Sequence, residues 1–168
     1  MKTTRFTRTA VLVVAAASLL ALPAQRAAAQ NVTDEIEVLR SVVKTDRKVI
    51  VAEAMQLTDA ESSVFWPLYR AYRADMDKLG DAVVKLTLEY ADAYPNVPED
   101  RAQKLLKDYL ALEKDMVSTR AKHLKKLAKA LPTAKVLRFA QVENRLDLVL
   151  RLQMASAVPL VPTARDGK

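Results

Sequence analysis

The chain has no cysteine, so no disulfide can staple it and no thiolate is at hand as a nucleophile or a metal ligand. Histidine occurs once, at His123, and glycine only twice, at Gly80 and Gly167. A single imidazole cannot found a multi-histidine metal site, and glycines this sparse leave neither a phosphate-cradling loop nor a Gly-x-Ser-x-Gly nucleophile turn. Within one helical turn His123 has Thr119, Arg120, Lys126 and Leu127 for neighbours, two positive charges and no carboxylate. A solvent-facing or partly packed ring is expected there. Pairs such as Asp75 and Asp77, or Glu99 and Asp100, read as solvated faces and dipole partners. The sequence therefore predicts no metal, no cofactor and no catalytic residue, and the chain reads as a non-enzyme.

Sustained apolar-polar alternation is missing too, which disfavours strands and makes helix the default. What the sequence does have begins with an address. Lys2, Arg5 and Arg8 precede an apolar run from Ala10 to Ala24, too short to span a bilayer comfortably, and the small residues Ala27, Ala28 and Ala29 follow. Residues 1–29 are expected to be a signal peptide cleaved after Ala29, which predicts a periplasmic protein. The leader holds Lys2, Arg5, Arg8 and Arg26 and no acid, so its removal takes four positive charges and lowers the formal net charge from +7 to +3. Most of the apparent basicity is then an export signal, and nucleic acid is not expected as a partner.

Residues 30–161 read as one helical domain with segments at about 34–54, 58–94, 98–130 and 133–157, followed by a disordered tail over 162–168. Thr58 and Glu61 have the spacing of a capping box. Behind them Phe65, Tyr72, Leu79 and Leu86 recur every seven residues, interleaved with Tyr69, Met76, Val83 and Tyr90, and make one long apolar seam. Pro67 falls inside this helix and predicts a bend beside Trp66. The next segment carries Glu99 and Asp100 at its start and Lys125, Lys126 and Lys129 at its end, a charge order that suits the helix dipole, and should fold back on its predecessor as an antiparallel hairpin. In the first segment Ile36, Val43 and Ile50 stand at sevenfold spacing. The last is apolar nearly all round between Leu146 and Met154, which marks it as central in the domain or shared with another molecule. The expected fold is all-α, an antiparallel long-helix hairpin within a four-helix arrangement.

Two runs of residues carry a resemblance. Leu57-Thr58-Asp59-Ala60-Glu61 opens one long helix, and Leu131-Pro132-Thr133-Ala134-Lys135 opens the last; the pattern resembles the periplasmic Spy/CpxP-like proteins, whose hallmark is a repeated Leu-Thr-x-x-Gln. Phe65, Trp66, Pro67 and Tyr69, with Arg138, Phe139, Gln141, Glu143 and Asn144, look closer still to a mostly uncharacterised branch of small exported bacterial proteins. Glu61 stands where the hallmark has Gln, and Lys135 holds that place in the second copy. The resemblance implies a hairpin-based helical fold, often dimeric, that shields unfolded clients without ATP or senses envelope stress.

From Lys114 to Arg138 eight cations oppose the single acid Asp115. As a solvated face this patch complements a helix end; as a binding surface, Lys122, Lys125, Lys126, Lys129 and Lys135 would attract acidic unfolded polypeptides or make weak contact with an anionic membrane surface. Leu148, Leu150 and Leu152 are the candidate apolar contacts, including those of a homodimer. Arg138, Gln141, Glu143 and Asn144 lie along a helix that should pack, which places some of them in a buried polar network between helices. The expected function is binding of unfolded or envelope polypeptides as a periplasmic holdase or stress adaptor. The second reading is a structural or sensory accessory to one specific envelope partner.

Overall fold

The computed structural model describes residues 46–163. The predicted leader, residues 34–45 of the predicted first helix and residues 164–168 of the predicted tail lie outside the described residues. Within them the protein is all-helical, with no strand. Residues 46–55 are helical (α1), followed by α2 (Asp59–Ala93), α3 (Glu99–Leu127) and α4 (Thr133–Ala157).

Local chemistry explains the joints. The Thr58 side chain accepts from the Glu61 backbone N–H while the Glu61 carboxylate accepts from the Thr58 N–H at 2.9 Å, so the expected capping box opens α2. Gln56, with φ at 44°, turns the chain out of α1 in the left-handed region common after a helix end. The last carbonyls of α1 are then taken by cations of α4: Lys135 Nζ donates to Met55 O at 3.1 Å and to Gln56 O at 2.7 Å, and Arg138 Nε donates to Ala54 O. Cations at a helix C-terminus satisfy orphan carbonyls and favour the dipole, so two residues of α4 fasten α1. Neither α3, which starts after Pro98, nor α4, which starts after Pro132, has a side-chain cap. Pro67 stays inside α2, on its exposed side. Its missing N–H costs the solvent-facing Ser63 carbonyl a helical donor.

The core joins Val51 and Met55 of α1, Phe65, Tyr69, Tyr72 and Met76 of α2, Leu127 and Leu131, and Val136 and Phe139 of α4. Phe139 meets Phe65, Tyr69 and Tyr72 edge-on at centroid separations of 5.5, 6.1 and 5.5 Å. Edge-to-face aromatic pairs add about 0.5–1.5 kcal/mol each beyond the area they bury. Glu89 and Asp92, late in α2, pair with Lys104 and Arg101, early in α3, while Asp75 meets Lys122 and His123 near the end of α3. The two helices therefore lie side by side in opposite directions. α1 runs against both α2 and α4, since Lys48 sits over the Trp66 ring and Arg47 reaches Glu143 and Asp147.

Candidate functional site

Each helix sends a charged side chain to one buried cluster. Arg47 of α1, 3% exposed, donates from Nε to Glu143 Oε1 at 3.3 Å and also pairs with Asp147. Arg73 of α2 reaches the other oxygen of Glu143 at 3.3 Å and holds Asp77 at 2.8 Å. From α3, Arg120 Nη2 lies 2.5 Å from Asp147 Oδ2. Among the described residues three guanidinium groups thus meet three carboxylates. Glu143 is 1% exposed, a burial that a carboxylate survives only with such partners. Burial opposes the charge of Arg47, but Glu143 and Asp147 outweigh it and raise its pKa above the usual arginine value. Burial, followed by the nearby Glu143 charge, pushes the Tyr69 phenol up to about 12 and the Tyr72 phenol up as well. The Tyr72 hydroxyl and Arg120 Nε have no hydrogen-bond partner among the described residues, though Arg120 is close enough to help stabilise a Tyr72 phenolate.

This cluster closes one end of a groove of about 380 Å³ between α2, α3 and α4. Met76, Gly80, Val83 and Val84 form the α2 wall. Leu112 and Met116 come from α3, Leu150 and Met154 from α4, and Val158 from just past the end of α4. The groove is largely apolar, and among the described residues that line it charge falls only at the Arg47 end and near Glu113 and Arg151, which pair at 3.2 Å.

His123 is not solvent-facing. It is 2% exposed, its ring meets Tyr72 edge-on at 5.6 Å, and Nε2 lies 2.9 Å from Asp75 Oδ2. Since an ionised carboxylate can only accept, Nε2 carries the proton of that bond. The carboxylate missing from the histidine's own turn comes from α2. That bond, with Lys122 at 3.5 Å, holds the Asp75 carboxyl below the ordinary range, so Asp75 is a fastening between helices. Among the described residues no group of three or more His, Cys, Asp or Glu is placed to hold a metal ion, and no helix is long and apolar enough to cross a membrane.

The candidate contact residues separate. Lys125, Lys126 and Lys129 are exposed, and Lys122 is exposed beside Asp75. Lys135 is turned onto the end of α1 and lies 3.5 Å from Glu61, partly exposed. Leu148 and Leu152 are 57% and 71% exposed, whereas Leu150 is half-buried in the groove wall. Of the motif residues, Phe65, Tyr69 and Phe139 are core, Leu57 and Trp66 pack against it, and Pro67 is exposed. Glu143 alone of its group of four enters the buried cluster; Arg138 caps α1, and Gln141 and Asn144 face solvent. The groove and the roles of Arg47, Arg73 and Arg120 carry no motif in the sequence. No family model, no curated protein and no solved structure matches the chain.

Proposed function

We propose that this is an exported, periplasmic polypeptide-binding protein of the Spy/CpxP-like kind, built on a hairpin of long helices and acting as an ATP-independent holdase or stress adaptor. The observation that supports this most is the apolar surface left in solvent outside the groove: Leu106, Leu110 and Val117 on α3, and Leu148, Val149 and Leu152 on α4. Single exposed apolar residues are ordinary, but six on two neighbouring helices, one of which ends in exposed lysines, suit contact with unfolded chains. The apolar side chains would supply affinity and Lys125, Lys126 and Lys129 would draw in acidic segments, an attraction that salt weakens. The purified protein should slow the aggregation of an unrelated unfolded protein at near-stoichiometric ratios, and more strongly at low ionic strength. Absence of protection at every ratio tested would discard the reading.

A further inference from the structure

We propose that the outer face of α3 and α4, the face turned away from α2, is a docking surface for anionic phospholipid membranes. The proposal does not rest on the polypeptide-binding reading; it gives the same apolar residues a second partner.

α2 packs over both later helices: Phe139 of α4 meets Phe65, Tyr69 and Tyr72, and His123 of α3 meets Asp75. The pairs Arg120 with Asp147 and Glu113 with Arg151 mark where α3 and α4 face each other. Stepping round α3 at about 100° per residue, Leu106, Leu110 and Val117 fall within about 40° of one another, beyond Glu113 and on the side away from His123. The same step round α4 puts Leu137, Leu148 and Leu152 within about 60°, beyond Arg151 and on the side away from Phe139. All six therefore look outward from one side of the molecule. Each is between 57% and 71% exposed, and none lines the groove.

Charge completes the pattern. On the rim of α3 remote from α4 stand Lys107, Lys114 and Lys125, and on the rim of α4 remote from α3 stands Arg145. All four are exposed, and none is in an ion pair among the described residues. The acids on this side are Glu113, which Arg151 holds at 3.2 Å, and Glu99 and Asp100 in the first turn of α3. An apolar band between cationic rims is what a helix lying in a headgroup layer presents: the apolar side chains enter the acyl boundary and the lysines extend to the phosphates. The band is the convex outside of two helices, which a fluid lipid surface can mould to and which gives a folded peptide no cleft. A second copy laid face to face sets cationic rim against cationic rim whether α3 covers α3 or α4, a like-charge arrangement that disfavours it.

Vesicle binding by the purified protein tests this. Vesicles of phosphatidylglycerol mixed with phosphatidylcholine should be bound on the order of 100-fold more tightly than phosphatidylcholine alone, an advantage that high salt removes. Lys107→Glu with Lys114→Glu should abolish the advantage, while Arg70→Glu with Lys85→Glu, the same change of charge at exposed positions of α2, should cost at most about 5-fold. The chain has no cysteine, so a polarity-sensitive dye attached at Val117→Cys reports on the face directly. Its emission should shift to the blue on anionic vesicles, whereas the same dye at Ala74→Cys, exposed on α2, should not move. Absence of binding to anionic vesicles overturns the proposal, as do equal losses in the two double variants or equal shifts at the two dye positions. A dye at Val117 that responds to an acidic unfolded protein and not to vesicles assigns the face to polypeptides and overturns it too.

Discussion

Arg47 stands between Asp46 and Lys48, a setting that reads in sequence as a solvated charge, yet it is the side chain through which α1 reaches both carboxylates of α4. Its partner Glu143 lies 96 residues away, and no local pattern announces a pair that forms only when two helices cross. The same holds for His123, whose own turn offers no carboxylate and whose partner Asp75 is 48 residues back. The energetics of the cluster follow from its balance. Removing the charge of Glu143 leaves Arg47 sharing Asp147 with Arg120 at a point that water scarcely reaches, so Glu143→Gln should lower stability by about 3 kcal/mol. Replacing Arg47 and Glu143 together by methionine leaves Arg73 on Asp77 and Arg120 on Asp147, still paired. That double variant should recover most of the loss, to within about 1 kcal/mol of the parent, because an apolar pair of similar size replaces an ion pair at little net cost. Urea midpoints of the two variants decide it; a double variant no better than the single one would show that the cluster is valued for more than its charge balance.

Elements were legible to the extent that their signals are local. The Thr58 cap is complete within four residues and is found as read; the first half of the apolar seam, Phe65 to Met76, is core. Of the sevenfold series Ile36, Val43 and Ile50 only Ile50 lies among the described residues; it is exposed and its neighbour Val51 is buried, because the packed face there is fixed by contacts with α4. Two of the joints between elements carry a pH signature. Glu61 accepts from the Thr58 backbone and then from Lys135, and Asp75 accepts from His123 and then faces Lys122; both carboxyls sit below their ordinary values of 4.5 and 3.8. A carboxylate with a depressed folded-state pKa binds protons less readily than in the unfolded chain. The stabilisation is therefore present above about pH 4.5 and is lost as pH falls through the folded-state values. Glu61→Gln with Asp75→Asn should flatten the loss of stability between about pH 5 and pH 2 relative to the parent, read from denaturation midpoints across that range. Equal acid slopes would assign the sensitivity to other carboxylates.

At the scale of the whole molecule the open question is which apolar surface meets other molecules and which belongs inside. A sequence that is apolar nearly all round between Leu146 and Met154 cannot divide those roles, because it lacks the positions of α2 and α3 that turn Leu150 and Met154 into a groove wall and leave Leu148 and Leu152 outside it. The division makes the three leucines of α4 separable by experiment. A charge at Leu148 or Leu152 enters water and should change stability by no more than about 0.5 kcal/mol, the usual range for surface substitutions. If the outer faces of α3 and α4 bind unfolded chains, Leu148→Glu with Leu152→Glu should nonetheless weaken protection against aggregation, both by removing apolar area and by repelling acidic clients. Leu150→Glu does the opposite kind of damage. It sets a carboxylate in the groove wall with Met76, Val83 and Met154, where the described cations Arg47, Arg120 and Arg151 are already held by Asp147 and Glu113, and should cost about 2 kcal/mol or more in stability. Thermal denaturation and light scattering on the same two proteins separate the cases. A destabilised double variant beside an unperturbed Leu150→Glu would invert the assignment of inner and outer faces.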